Sequence, residues 1–224
     1  MYQVRQVFSK LAKILKEMVN TKRFDYGFAG IFFLLGISYA LANLIGFTDS
    51  ILMAIQVVLV SATYFLISYL FIIREEAKDT PNFGESITPI VSMSTPVLIV
   101  SISTHFGAMY EFSNIGICIM SIGLLTSLLA LYYLKKSFSI FPARRRIVTR
   151  GLYSVIRHPI YAGQIMMGMG LVLTHLNLIA VVILLIGIIA TLFRINIEET
   201  KLSTDDEYKN YRLKVRHKLL PLVW

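Results

Sequence analysis

The chain has 224 residues, of which 56% are apolar and 16% charged, with a net charge of +9 and a mean hydropathy of +0.67. These values exclude a disordered chain and an ordinary soluble domain, which is nearer half apolar and a quarter charged. The basic excess sits in blocks between apolar runs, with no stripe interleaved with aromatics, so it argues against a nucleic-acid-binding face and for membrane topology. The single cysteine, Cys118, excludes an intrachain disulfide framework or a thiolate metal site.

Residues 1–24 place Val4, Val7, Phe8, Leu11, Ile14, Leu15 and Met18 at three- and four-residue intervals, with Arg5, Lys10, Lys13 and Lys16 between them. This pattern predicts a retained amphipathic helix at the membrane interface, not a cleaved signal, whose apolar stretch would be continuous. Spans of about 20 apolar residues cross about 30 Å of hydrocarbon. The first is predicted from Gly27 to Phe47 and the second from Ile51 to Ile73, joined by Thr48, Asp49 and Ser50.

A polar stretch from Arg74 to Ser86 follows, then a third span from Ile87 to about Phe106 containing Pro89 and Pro96. Carbonyls freed by membrane prolines need partners, and the hydroxyls of Ser92, Ser94 and Thr95 are placed to supply them, so this span is expected to face protein more than lipid. The fourth span runs from Asn114 to about Leu134. The stretch Lys135–Arg157 is the most basic of the chain. Apolar character resumes over Pro159–Leu176 and Leu178–Ile195, with His175 and Asn177 at the turn of a helical hairpin, and a charged, aromatic-bearing tail ends at Trp224.

Lys and Arg number 6 before the first span, 2 between the second and third, 7 between the fourth and fifth, and 7 from Arg194 onward. None falls in the other three connections, so the positive-inside rule predicts six spans with both termini in the cytoplasm. The expected fold is an all-α polytopic membrane protein: an interfacial helix over 1–24, four spans within 25–134, and two spans plus an amphipathic cytoplasmic tail within 135–224.

Polar groups at membrane edges are costly to place and are functional candidates by default. One cluster, Gly151, Tyr153, Arg157, His158, Pro159, Tyr161 and Gly163, precedes and opens the fifth span; a second, Arg194, Glu198 and Glu199, closes the sixth. A hairpin turning near His175 brings both to one membrane face. Arg194 and Glu198 share a helix face at i, i+4, whereas Glu199 points elsewhere. Taken singly, Arg194 and Glu198 read as a surface ion pair, His158 as an interface residue, and Tyr153 and Tyr161 as members of an aromatic belt. Met166, Met167 and Met169 beside Gly168 and Gly170 read as helix packing and not as a cofactor box.

The conjunction is more specific. The string GLYSVIRHPIYAG at 151–163, followed by R-x-x-x-E-E-x-x-L at 194–202, E-Y-x-x-Y-x-x-x-V at 207–215 and Pro221, resembles the isoprenylcysteine carboxyl methyltransferase family and the related phospholipid N-methyltransferases. The resemblance covers roughly Ser137–Trp224. It implies a membrane enzyme that uses S-adenosylmethionine without a Rossmann domain, and no glycine-rich strand-to-helix turn with a downstream acid is present. By motif position, it implies that Tyr153, His158, Pro159, Tyr161 and Glu198, with the backbone near Ile147 and Val148, line the cofactor site, while Arg194 faces the substrate as the catalytic candidate. Arg145 and Arg146 are alternatives for the cofactor carboxylate, although the run Arg144–Arg146 also suits anionic lipid head groups.

The residue types suit the chemistry. Methyl transfer from a sulfonium is an in-line displacement that depends on positioning. A carboxylate such as Glu198 accepts from ribose hydroxyls or an ammonium, tyrosine rings attract a sulfonium by about 0.5–2 kcal/mol, and Arg194 offers a two-pronged donor to a carboxylate or phosphate. The expected acceptor is a lipophilic or amphiphilic molecule bearing a carboxylate, amine or thiol. No His and carboxylate pair has metal-ligand spacing. The rival readings are an NADPH-dependent sterol-type reductase, whose last spans have a similar arrangement, and a non-catalytic lipid-binding membrane protein.

Overall fold

The computed structural model describes residues 6–7, 22–45, 51–75, 83–106, 113–140 and 146–221, and every regular element among them is helical. The amphipathic pattern of residues 1–24, the connection at 48–50, Arg144 and Arg145 lie wholly or mostly outside the described residues. Seven α-helices are described: α1 (Lys22–Ile45), α2 (Ile51–Ile73), α3 (Phe83–Phe106), α4 (Ser113–Leu134), α5 (Pro159–Thr174), α6 (Leu178–Leu202) and α7 (Asp206–Lys214). Two single 3₁₀ turns, Lys135–Ser137 and Gly151–Ser154, flank the basic connection between α4 and α5.

Four of these helices are long and apolar enough to cross a membrane, over Lys22–Asn43, Ile51–Ile73, Ser113–Ser137 and Leu178–Leu202. Their outward residues are the large hydrophobics, among them Leu34, Val58, Ile122 and Phe193, which is the arrangement of an integral membrane protein solvated by lipid. The other two expected spans are shorter as apolar helices, Ile87–Ser101 and Pro159–Thr174. Three boundaries differ from the hydropathy reading. α1 starts at Lys22 and α3 at Phe83, because polar residues at a helix end need no hydrocarbon. α6 continues through Arg194, Glu198 and Glu199 to Leu202, because helix geometry, unlike an apolar window, does not stop at the first charge.

Sequence order is not spatial order. α1 pairs with α2, α2 with α4, and α4 with α5, whereas α3 packs mainly on α6. The α4–α5 contact is the most extensive, and glycines make it so. A Cβ at Gly123 would come within 2.6 Å of the Gly163 carbonyl, and one at Gly116 within 2.7 Å of the Gly170 carbonyl. The two backbones therefore touch directly, as small residues allow where no water drives helix association. Gly170 is thus packing, as its methionine-flanked sequence suggested, and Gly168 meets Leu184 of α6.

The proline-containing α3 departs from expectation. Thr95 and Ile99 are buried on the side facing α6, while Ile90, Val97 and Leu98 remain exposed, so only one stripe faces protein. Its hydroxyls do bond back along the helix, Ser92 to the Pro89 carbonyl at 3.1 Å and Ser94 and Thr95 to that of Val91 at 3.0 and 3.1 Å. At the far end of the α1–α2 hairpin from its connection, Asp25 and Arg74 form a buried ion pair, 5% and 4% exposed. Lys22 Nζ donates to the Arg74 carbonyl at 2.7 Å, and the Arg74 guanidinium lies 4.9 Å from the Phe71 ring centroid. The Phe71 and Phe138 rings, the latter beyond α4, are nearly perpendicular with centroids 5.3 Å apart. This cluster fixes the hairpin to the segment leading into the basic connection.

Candidate functional site

Local signals position each wall of the site. Pro159 occupies the first turn of α5, where its missing N–H is not needed. Asn177 caps α6 by accepting from the Ala180 amide at 2.7 Å, fixing the hairpin turn. Gly151 has φ of +63°, and a Cβ there would collide with the Tyr133 ring, so glycine is required for the 3₁₀ turn to dock on α4. Asp205 caps α7, accepting from the Glu207 amide at 2.9 Å.

The tail then folds back over the start of α5. The amides of Arg157 and His158 donate to the carbonyls of His217 and Lys218, each at 2.9 Å. Arg157 Nη1 donates to the carbonyls of Val215 and Arg216, both at 2.9 Å, and the Tyr211 hydroxyl donates to the Tyr153 carbonyl at 2.7 Å. Between these elements lies a cavity of about 150 Å³ walled by the end of α4, residues 146–148, the 3₁₀ turn, α5, the end of α6 and α7.

Of the residues singled out in the sequence, Ile147, Val148, Tyr153, His158, Tyr161 and Glu198 line this cavity. Pro159 and Arg194 do not. Pro159 is fully buried beneath the wall, and Arg194 is 4% exposed. The surface ion-pair reading of Arg194 and Glu198 is corrected by this burial: Arg194 Nε lies 3.5 Å from Glu198 Oε1 inside the protein. The Arg194 guanidinium also sits 4.9 Å from the Tyr161 ring centroid, donates to the Ile140 carbonyl and reaches the Ser92 hydroxyl of α3 at 3.5 Å. Tyr161 donates its hydroxyl to Glu198 Oε1 and stacks on His158 at 5.6 Å.

Sequence reading missed several members. Glu199, set aside because it leaves the Arg194 face of α6, is the partner of the α5 cluster. Its Oε1 accepts from Arg157 Nε at 2.8 Å and lies 3.2 Å from His158 Nε2, and its Oε2 lies 3.5 Å from Lys218 Nζ. Lys201, Leu202, Tyr208 and Tyr211 also line the cavity, as does Arg146, which the sequence named only as an alternative. The E-Y-x-x-Y spacing signalled the two tyrosines, but not that they close a pocket built by other helices. Burial pushes the Tyr153, Tyr208 and Tyr211 hydroxyls well above the ordinary tyrosine range, helped at Tyr208 by the nearby Glu199 carboxylate, so all three are neutral donors.

The cavity therefore presents a half-buried carboxylate, aromatic faces, neutral hydroxyls and apolar walls from Ile147, Val148, Ile160 and Leu202. That set suits a ligand with a cation, several hydroxyl donors and a flat ring, and the buried Tyr208 hydroxyl has no well-aligned partner among the described residues.

The phospholipid methyltransferase family matches residues 112–209. No curated protein matches the chain. A solved structure described as the eukaryotic intramembrane Ras methyltransferase, isoprenylcysteine carboxyl methyltransferase, without a monobody, is 22% identical, aligns over 99% of this chain and 85% of its own, and has a TM-score of 0.48. Every cavity-lining residue except Tyr211 lies inside the matched segment. The segment that builds most of this cavity is thus the one similar to the phospholipid methyltransferase family.

Proposed function

We propose that the chain is a six-span membrane enzyme, with both termini cytoplasmic, that transfers a methyl group from S-adenosylmethionine to a lipophilic or amphiphilic acceptor. The observation that carries this reading is the convergence of the family-matched segment on one cavity with a carboxylate and aromatic faces. Two features support six spans. α3 has 24 residues, about 36 Å at 1.5 Å per residue. α5 has 16 residues, about 24 Å, and begins directly after the buried Arg157 and His158; a short helix is accommodated by local thinning of the bilayer.

Within the cavity, Glu198 holds hydroxyl or ammonium groups of the cofactor, Tyr153 and Tyr161 contribute aromatic faces, His158 lies beside them, and the backbone at Ile147 and Val148 closes the wall. Pro159 shapes the start of α5 from beneath. S-Adenosylmethionine supplies the activated methyl group at this place. The chain's own contribution is positioning and water exclusion, because apolar walls keep water from competing for the methyl group.

Arg194 stands behind Tyr161 and Glu198 and reaches toward α3. In this reading it orients the acceptor: an anionic acceptor group replaces the Ile140 carbonyl and the Ser92 hydroxyl as the partner of its fork. An acceptor that is already an anion, a free amine or a thiolate needs no further activation by the protein. The two long loops face the cytoplasm, where Arg146 and Lys201 at the cavity wall attract anionic ligands or lipid head groups.

The test is calorimetric titration of the detergent-purified protein with S-adenosylmethionine, S-adenosylhomocysteine and NADPH. Saturable binding of the first two, but not the third, is expected. Binding of NADPH alone by folded protein points to a reductase. Binding of none removes the catalytic reading.

A further inference from the structure

We infer that Glu199 is a positioning residue that fixes the ring orientation and tautomer of His158, so that Nδ1 faces the cavity beside Glu198. This rests on the cofactor site proposed above, although its primary test does not require ligand. Glu199 does not line the cavity, whereas His158 and Glu198 do. The carboxylate is instead the meeting point of three donors from two chain segments: Arg157 Nε at 2.8 Å, His158 Nε2 at 3.2 Å and Lys218 Nζ at 3.5 Å.

Arginine and lysine are donors only, and an ionised carboxylate is an acceptor only. The contact at Nε2 is satisfied only when that nitrogen carries the proton. The opposite edge of the ring then lies toward Glu198, with Nδ1 3.9 Å from Oε2, and stacking on Tyr161 at an interplanar angle of 22° holds the plane. In the neutral ring, Nδ1 is an acceptor next to a second acceptor. A ligand group with at least two hydrogens to donate, an ammonium above all, bridges the pair. Glu199 thereby prepares a two-acceptor recess that it does not touch.

The linkage extends to the tail. Arg157, which holds Glu199, also holds the carbonyls of Val215 and Arg216, and Lys218 belongs to the segment whose carbonyl receives the His158 amide. Seating of the tail and orientation of the imidazole are consequently fixed by one carboxylate.

Nitrogen-15 spectroscopy of histidine-labelled full-length protein in nanodiscs, without ligand, reads the tautomer directly, with a His158→Gln sample assigning the signal. A proton on Nε2 is expected; a neutral ring protonated only on Nδ1 overturns the proposal with no need for any Glu199 variant. Glu199→Gln should then redistribute the His158 tautomer and weaken S-adenosylhomocysteine binding by about tenfold, the effect of losing one charge-assisted hydrogen bond, and Glu199→Asp should restore part of both. A folded Glu199→Gln protein with lower thermal stability but unchanged tautomer and affinity would assign Glu199 a purely structural role and overturn the proposal. If the wild type carries the Nε2 proton yet binds no S-adenosylhomocysteine, the cofactor assignment falls and the positioning role of Glu199 stands.

Discussion

At Glu198, one carboxylate gathers the Tyr161 hydroxyl, the Arg194 guanidinium and, at 3.9 Å, the His158 ring, while remaining 22% exposed to the cavity. Replacing it by glutamine keeps shape but removes the charge, and should weaken S-adenosylmethionine binding about tenfold or more with little change in folding. Unchanged affinity in calorimetry would take Glu198 out of the site. Arg194 is more entangled than its sequence position indicated. Because it pairs with Glu198 and covers the Tyr161 ring, Arg194→Ala should lower methyl transfer and also loosen cofactor binding several-fold. An effect confined to acceptor turnover would show that the pair carries no cofactor-binding energy. The buried tyrosines give a pH prediction. The folded-state values of Tyr153, Tyr208 and Tyr211 lie above the unfolded value near 10, so their contribution is complete below pH 10 and is lost as pH rises beyond it. Absorbance titration at alkaline pH should show a late-ionising fraction together with falling thermal stability. Ionisation of all 12 tyrosines near pH 10 without destabilisation would contradict the burial.

At the scale of elements, the α4–α5 seam is set by glycine at positions where any side chain collides with backbone. Gly123→Val should separate the two helices and destabilise the protein by about 3 kcal/mol or more, because neither partner is a flexible side chain that can give way. Normal expression and thermal midpoint of that variant would show that the helices are not so close. The α1–α2 hairpin is held differently. Arg74→Met leaves Asp25 buried without its partner and should cost about 3–5 kcal/mol, whereas the double replacement Asp25→Leu with Arg74→Met should recover much of that loss. Chemical denaturation in detergent compares the two; equal stability of the single and double variants would mean that Asp25 finds another partner, with Lys22 Nζ already 3.8 Å away.

For the whole molecule, the candidate site is not confined to one helix or to the tail. Its cavity takes walls from the end of α4, the start of α5, the end of α6 and the tail. The sequence by itself determined a great deal of this. Apolar length and the partition of Lys and Arg marked the four long helices and the basic connections, because the cost of placing charge in hydrocarbon is large and additive. The motif residues Tyr153, His158, Tyr161 and Glu198 were legible because few unrelated constraints demand that combination at helix ends, and the structure brings them to one cavity. Only the tertiary structure decided the rest. The spatial order of α3, the burial of Arg194, the pairing of Asp25 with Arg74 and the contacts of Glu199 with Arg157, His158 and Lys218 depend on which segment faces which. Helical periodicity places Glu199 away from Arg194, but it carries no information about a neighbour 41 residues earlier. Contacts of that kind are set when helices pack and the tail closes over them, a step that no local spacing encodes.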